Sequence, residues 1–179
     1  MRSYVERATD FIKEVFPYIE DKMYCPWDLR KSIRQYNADH TRNVKVKSGC
    51  ARIALLTSDY VVKFDYDEDE VRSIGGCQNE VHLYAIAEAE GYGYLFAKIS
   101  HVNYQNHDFY IMPRINGIND NNGRGWQYMT DDEREWCERH TLSDLHCGNY
   151  GFRNGHICIV DYALQESEVG ETSYDSEEE

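Results

Sequence analysis

Residues 144–163 read DLHCGNYGFRNGHICIVDYA and carry the strongest structural signal in this sequence. Apolar and polar residues alternate on both sides of Asn154-Gly155, and an alternation of period two is typical of a β-strand. Asn-Gly is preferred at the centre of a two-residue hairpin turn, because both of its residues accept a positive φ. The sequence therefore predicts a β-hairpin at this point.

The turn also fixes which residues face one another in this hairpin. Arg153 is expected opposite His156, and Asn149 opposite Val160. Asn149 and Asp161 then lie together at the open end, although strict alternation would put their side chains on opposite faces. At least one of them must lie just beyond the regular ladder if both contact one metal ion. A carboxylate and an amide oxygen suit Mg²⁺, a hard cation that binds few protein oxygens together with phosphates and water.

Four further strands are predicted upstream from β-branched and aromatic runs. They are ARIALLT at 51–57, DYVVKFD at 59–65, YLFAKISHV at 94–102 and DFYIMPRI at 108–115. Ser58-Asp59 is a short polar turn, so the first two strands are expected to form a hairpin.

Four helices are predicted from helical spacing and from helix start and stop signals. The first spans residues 3–16 and is limited by Pro17, and the second is a short helix from an Asp28 cap to Tyr36. The third spans residues 78–90 and is ended by Gly91 and Gly93, and the fourth spans residues 130–140. The last begins with a capping-box pattern, Thr130 followed by Glu133. Residues 66–76 and 117–125 are predicted to be loops.

The net charge is −13, and seven acidic residues lie in the last fifteen residues, QESEVGETSYDSEEE. This segment is too polar to bury a core, so we expect a disordered acidic tail. So acidic a chain is not expected to bind nucleic acid directly, although the tail could mimic nucleic acid. No apolar run is long enough for a membrane span and the N-terminus lacks the features of a signal peptide, so a cytoplasmic protein without a membrane partner is expected.

Two motifs around the predicted hairpin resemble those of the protein-kinase superfamily. The stretch Asp144-Leu-His-Cys-Gly-Asn149 looks like a kinase catalytic loop, and its histidine and glycine look most like the aminoglycoside-phosphotransferase branch. Ile159-Val-Asp161-Tyr-Ala looks like the metal-binding aspartate motif, with Tyr-Ala in place of Phe-Gly. Asp161 follows Asn149 by twelve residues, which is close to the usual gap in the family.

The resemblance continues upstream and covers about residues 44–163. Val61-Val62-Lys63 looks like the third-strand lysine motif, and Glu80 on the next helix looks like the glutamate that pairs with that lysine. FYIMPRI looks like the strand that leads into the hinge, which would place Met112 and Arg114 near the adenine. Such a likeness implies a compact two-lobed α+β fold.

The resemblance also implies roles in phosphoryl transfer, where the protein mainly positions groups and neutralises charge. Lys63 would hold the α- and β-phosphates of ATP, Glu80 would hold Lys63, and Asn149 with Asp161 would bind Mg²⁺. Asp144 would accept or orient the proton of the acceptor hydroxyl, and His146 would assist near the γ-phosphate.

The sequence departs from the family pattern at the phosphate loop and in the C-terminal lobe. Only Gly49 remains of the glycine-rich loop, so Ser48 and Arg52 are expected to compensate. Only eighteen residues follow Asp161, which implies a truncated C-lobe, and the helices at about residues 3–36 are expected to replace part of its support. The predicted division is a helical extension over 1–43, an N-lobe over 44–113, a minimal C-lobe over 114–163 and the tail over 164–179.

Two functions follow from these expectations. The first is an ATP- and Mg²⁺-dependent phosphotransferase acting on a hydroxyl of a protein or a small molecule, with transfer of AMP as a variant. The alternative is a pseudokinase that binds a partner protein without catalysis, for example as an acidic, phage-type inhibitor of a host protein. A zinc site can also be drawn from Cys137, His140, His146 and Cys147, but adjacent ligands such as His146 and Cys147 rarely converge on one metal.

Overall fold

The computed structural model describes residues 2–66, 76–116, 125–142, 145–146 and 148–162. These residues form an α+β protein with an antiparallel sheet, a separate hairpin and four α-helices. The helices are α1 (Tyr4–Ile19), α2 (Pro26–His40), α3 (Cys77–Ala89) and α4 (Asp131–Arg139). The strands are β1 (Lys45–Ser48), β2 (Arg52–Leu56), β3 (Tyr60–Asp65), β4 (Ser100–Tyr104), β5 (His107–Pro113), β6 (Tyr150–Arg153) and β7 (His156–Ile159).

The main sheet has five strands in the order β1-β2-β3-β5-β4, with all neighbours antiparallel. The predicted hairpin of β2 and β3 is confirmed, and β1 adds a strand that was not predicted separately. The strand predicted over 94–102 is largely wrong, because regular pairing begins only at Ser100. Gly93–Leu95 form a 3₁₀ turn, and Phe96 makes a single parallel bridge to Ile159 of β7, which joins the hairpin to the rest of the chain.

Both predictions for the N-terminal helices need correction. Pro17 does not end α1, which continues to Ile19; a proline in the last turn removes only one helical hydrogen bond. Asp28 is not the cap of α2, because Pro26 occupies the first helical position and places Asp28 within the first turn. This helix also runs beyond Tyr36, and ends where Thr41 adopts a left-handed conformation with a φ of 52°.

Helix α3 is confirmed within one residue at each end. Both side-chain oxygens of Asp65, at the end of β3, accept from the Cys77 N–H at 3.1 and 3.2 Å, which satisfies a free donor of the first turn. At the other end Gly91 has a φ of 86°, and the N–H groups of Gly91 and Tyr92 donate back to the last turn. The helix start is therefore tied directly to the strand that carries Lys63.

The capping box of α4 and the hairpin of β6 and β7 are both confirmed. Thr130 and Glu133 exchange the two expected hydrogen bonds at the start of α4. In the hairpin Arg153 pairs with His156, and Asn154 and Gly155 have φ values of 54° and 83°, as the tight turn requires.

The two faces of the main sheet pack against different parts of the chain. We call the face that carries Val62, Phe64 and Ile111 the far face; α1 and α2 cover it in one apolar cluster. We call the opposite face, with Lys63 and Met112, the near face; it looks towards α3 and the β6–β7 hairpin. The expectation that the N-terminal helices support the C-lobe is therefore wrong, because the apolar alternation of the strands gives these helices a surface on the far face.

Several predicted features lie outside the described residues. They are residues 67–75 of the first predicted loop, residues 117–124 of the second, residues 143–144, Cys147, Ala163 and the predicted tail over 164–179. None of the helices in the described part of the chain has the length and apolar composition needed to span a membrane.

Candidate active site

A cleft of about 610 Å³ lies between the near face of the main sheet and the β6–β7 hairpin. The sheet contributes residues from β1, β2, β3 and β5, and the hairpin contributes residues at its open end. The candidate residues from the sequence that line the cleft are Ser48, Gly49, Arg52, Lys63, Met112, Arg114, His146, Asn149 and Asp161. Glu80 lies behind Lys63, and Asp144 is outside the described residues.

Lys63 is held by three acceptor atoms in the wall of this cleft. Its Nζ lies 2.8 and 3.0 Å from the two carboxylate oxygens of Glu80, and 2.8 Å from the carbonyl oxygen of Val160. The contact expected between Lys63 and Glu80 is therefore present. Strand alternation explains the direction of the side chain, since Val62 and Phe64 on either side of it pack into the far-face cluster.

Glu80 is fully buried in the first turn of α3. Its Oε1 also accepts from the Tyr162 N–H at 3.1 Å. Burial raises the pKa of Glu80 above its ordinary value, and the ammonium of Lys63 offsets part of that rise. The carboxylate thus fixes the lysine and the chain segment after β7 at the same point.

The pKa of Lys63 is raised above its ordinary value. Burial acts against its charge, but the carboxylates of Glu80 and Asp161 outweigh burial and favour the ammonium form. Lys63 is only 8% exposed, so this charge is both desolvated and directed at the cleft wall. An ammonium can bind phosphate oxygens as a point charge, and here Glu80 and the Val160 carbonyl fix its position.

Asn149 and Asp161 meet at the open end of the hairpin, as their spacing predicted. The carbonyl oxygen of Asn149 accepts from the N–H groups of Val160, at 2.8 Å, and of Asp161, at 3.3 Å. The Asn149 N–H donates to the carbonyl oxygen of His146 at 2.9 Å, and His146 Nδ1 accepts from the Gly148 N–H at 3.0 Å. These backbone contacts close a tight loop around the hairpin end.

Arg52 contacts Glu80 and Asp161, a role that was not predicted from the sequence. Its Nη2 lies 3.1 Å from Asp161 Oδ1, and its Nη1 lies 3.6 Å from Glu80 Oε1. The signal was available in the strand register, because Ala54 pairs with Lys63 and Arg52 lies two residues before Ala54 on the same face. Arg52 was expected to compensate for missing glycines at the phosphates, whereas here it binds carboxylates.

The pKa of Asp161 is lowered from its ordinary value. Burial would raise it, but the positive charges of Lys63, whose Nζ is 3.9 Å away, and of Arg52 act more strongly together. The same carboxylates raise the pKa of Arg52 against the effect of burial. The four side chains of Arg52, Lys63, Glu80 and Asp161 therefore form one charged network.

The residues expected to replace the glycine-rich loop are engaged elsewhere. The Ser48 hydroxyl accepts from Arg30 of α2 at 2.7 Å. A side chain added at Gly49 would meet no atom closer than 3.9 Å, so no close approach requires a glycine at this position. The Gly49 N–H donates to the Arg52 carbonyl at 2.9 Å, and this bond closes the turn between β1 and β2.

Three polar atoms on the cleft wall have no hydrogen bond among the described residues: Arg52 Nη1, Arg114 Nη1 and Asp161 Oδ1. Asp161 Oδ1 is buried and has only its ion-pair contacts, so it could serve as an oxygen ligand for Mg²⁺ beside Asn149. Arg114 Nη1 is likewise buried without an acceptor, next to Met112 at the strand end where the adenine was expected.

The zinc alternative finds no support in the described part of the chain, where no three His, Cys, Asp or Glu side chains are grouped to hold a metal. Cys137 is buried in the core, and burial raises the pKa of its thiol to about 12, against the thiolate that zinc requires. No protein-family model matches the sequence, and a search of curated proteins finds no match either.

Proposed function

We propose that this protein is a kinase-like phosphotransferase that binds ATP with Mg²⁺ and transfers a phosphoryl group to a hydroxyl of a protein or a small molecule. The observation that carries the proposal is the buried ion pair of Lys63 and Glu80 in the wall of a cleft. Such a pair is a weak source of stability, because removing both charges from water opposes their attraction. Its location at a cleft is better explained by the need for a fixed ammonium that binds phosphate.

Each residue then has a limited physical task. Lys63, fixed by Glu80, would bind the phosphate oxygens, and Met112 with Arg114 would contact the base. Asn149 and Asp161 would hold Mg²⁺, which neutralises charge on the phosphates when it is bound. Asp144, by the resemblance, would take the proton of the acceptor hydroxyl while that oxygen bonds to the γ-phosphorus and the bond to ADP breaks.

A pseudokinase that binds a partner protein is the second candidate, and one observation favours it. Arg52 already neutralises Asp161 at 3.1 Å, so a metal ion would have to compete for this carboxylate. A chain that keeps the cleft but binds Mg²⁺ weakly would hold a nucleotide without catalysis, or act through its surface alone.

Calorimetric titration of ATP with Mg²⁺ tests the nucleotide site directly. We expect binding to the wild type, at least tenfold weaker binding to Lys63→Met and to Asp161→Asn, and unchanged binding to Lys13→Met, which removes an exposed lysine of α1. If ATP at millimolar concentration does not bind to the wild type, the proposal is wrong.

An assay with labelled ATP then distinguishes the phosphotransferase hypothesis from the pseudokinase hypothesis. Transfer of label from the γ-phosphate to an acceptor, lost in Asp144→Asn, would support a phosphotransferase. Transfer from the α-phosphate would instead indicate AMP transfer. Binding of ATP with no transfer to a broad panel of acceptors would favour the pseudokinase.

A further inference from the structure

Arg52 occupies an unusual position between the metal-binding and the phosphate-binding parts of the cleft. It is the first residue of β2, directly after the turn at residues 49–51, and its side chain lines the cleft with 21% of its surface exposed. It contacts Asp161 at 3.1 Å, on the same Oδ1 atom that has no hydrogen bond.

The charges of the network balance without any ligand. Arg52 and Lys63 supply two positive charges, and Glu80 and Asp161 supply two negative charges, all within contact distances of 2.8 to 3.9 Å. A metal ion at Asp161 would add positive charge beside Arg52, and like charges at such distances repel strongly in a partly buried site. Metal binding and the present position of Arg52 are therefore in competition.

The contact between Arg52 and Asp161 is also easy to exchange. Neither Arg52 Nη1 nor Asp161 Oδ1 makes a hydrogen bond within the described part of the chain, although both atoms are buried. Lys63 differs, because three acceptor atoms at 2.8 to 3.0 Å fix its ammonium. Of the two cations, Arg52 is the one that can leave its carboxylate with little loss of hydrogen bonding.

We propose that Arg52 is an exchange residue of the nucleotide site: it binds Asp161 in the empty cleft and binds the phosphates of the nucleotide once Mg²⁺ replaces it on Asp161. This inference rests on the proposed nucleotide site. It assigns the dependence of nucleotide binding on the metal ion to one side chain, Arg52. The guanidinium has five donors in a planar fork that match phosphate as well as carboxylate, so the same group serves both states. Arg52 is here a positioning residue for Asp161 and a binding residue for the phosphates.

The inference predicts two affinity changes of opposite sign when the charge at position 52 is removed. Mn²⁺, used in place of Mg²⁺ and followed by electron paramagnetic resonance without nucleotide, should bind Arg52→Met about tenfold more tightly than the wild type. ATP titrated in the presence of saturating Mg²⁺ should bind Arg52→Met about tenfold more weakly than the wild type, because the phosphate contact of Arg52 is lost. A residue with only a structural role would weaken both.

Two further variants control this experiment. Arg52→Lys keeps a positive charge with fewer donors and should give values between those of the wild type and Arg52→Met, which also covers the case that the methionine variant folds poorly. Arg34→Met removes an exposed arginine of α2 and should leave both affinities unchanged. Circular dichroism of each variant checks that it is folded.

The results separate this inference from the proposed function. If the wild type binds ATP with Mg²⁺ but both affinities fall together in the Arg52 variants, or neither changes, the exchange role is wrong and the nucleotide site stands. If the wild type binds neither Mn²⁺ nor ATP, the nucleotide site itself is wrong, and the exchange role with it.

Discussion

The two faces of the main sheet are formed by the same strands but carry different kinds of side chain. On the far face, Val62 and Phe64 pack with α1 and α2 in a continuous apolar cluster. On the near face, Lys63 meets Glu80 of α3 beside an open cleft. None of the buried charged residues among those described lies in the far-face cluster.

Adjacent residues of β3 thus lie in different surroundings, one in the apolar far-face cluster and the next at the wall of the cleft. Side chains alternate across a strand, so a shift of one position moves a residue from the core to the cleft. The far face buries apolar area, which is the main source of stability. The near face carries the charges of Lys63 and Glu80 at the wall of the cleft. We therefore expect substitutions on the far face to change stability, and substitutions on the near face to change binding.

The largest expected effect comes from breaking the ion pair of the near face. Glu80→Leu should lower the free energy of unfolding by about 3–5 kcal/mol, because it leaves the Lys63 ammonium buried without its carboxylate. The double variant Lys63→Met with Glu80→Leu should recover at least about 1 kcal/mol of this loss, because an apolar pair of similar volume needs no partner. Urea unfolding measures both values.

The binding of ATP with Mg²⁺ should not recover in this double variant. Stability and affinity would then respond differently to the same pair of residues, which is the signature of a functional ion pair. If the double variant were as unstable as Glu80→Leu, the pair would have a structural role and the division between the two faces would not hold at this position.

Two neighbouring valines of β3 provide a matched test with a smaller expected effect on stability. Val62 is fully buried on the far face, whereas Val61 lines the cleft. Val62→Ala should lower the free energy of unfolding by about 2 kcal/mol, through lost burial and the cavity left behind, with unchanged ATP affinity. Val61→Ala should change stability by less than half as much and weaken ATP binding severalfold.

The same unfolding and titration experiments compare these two variants. Because the substitutions are chemically identical and adjacent, a difference between them reports the surroundings of each side chain, which are the core for Val62 and the cleft for Val61. Equal effects of the two variants on stability and on affinity would contradict the comparison.

Local signals in the sequence predicted much of this fold. The Asn154-Gly155 turn gave the register of the hairpin, and Thr130 with Glu133 gave the start of α4, because both signals act over a few residues. The predictions that were wrong concern features that depend on tertiary packing. The stretch around Phe96 is apolar and reads as a strand, yet it makes only one bridge, to the distant Ile159. Nothing in the N-terminal sequence indicates which face of the sheet its helices cover.

In the candidate site, too, local signals were predicted from the sequence and long-range contacts were not. The pairing of Lys63 with Glu80 followed from a resemblance, and the geometry of Asn149 and Asp161 followed from the hairpin register. Arg52 was identified as a site residue with the wrong partner, because its contact with Asp161 joins two segments more than a hundred residues apart in the sequence. Strand register places Arg52 on the same face as Lys63, but it does not indicate the group across the cleft.

The smallest expected effect distinguishes the two faces by pH. The pKa of Asp161 is lowered in the folded protein, because Lys63 and Arg52 together outweigh the opposing effect of burial. Its carboxylate therefore contributes stability above its unfolded pKa of about 3.9, and this contribution is lost as the pH falls through the lower folded value. Since 38% of its side chain is exposed, solvent screens the effect and keeps it modest.

The difference in unfolding free energy between the wild type and Asp161→Asn should be constant from about pH 7 to about pH 5 and should shrink below about pH 4. The corresponding difference for Val62→Ala should stay the same over this range, because the removed methyl groups carry no titrating charge. A difference for Asp161→Asn that stays constant down to about pH 2.5 would mean that folding does not favour the ionised carboxylate. Arg52 and Lys63 would then not hold Asp161 as an anion, and the competition between Arg52 and a metal ion would lose its physical basis.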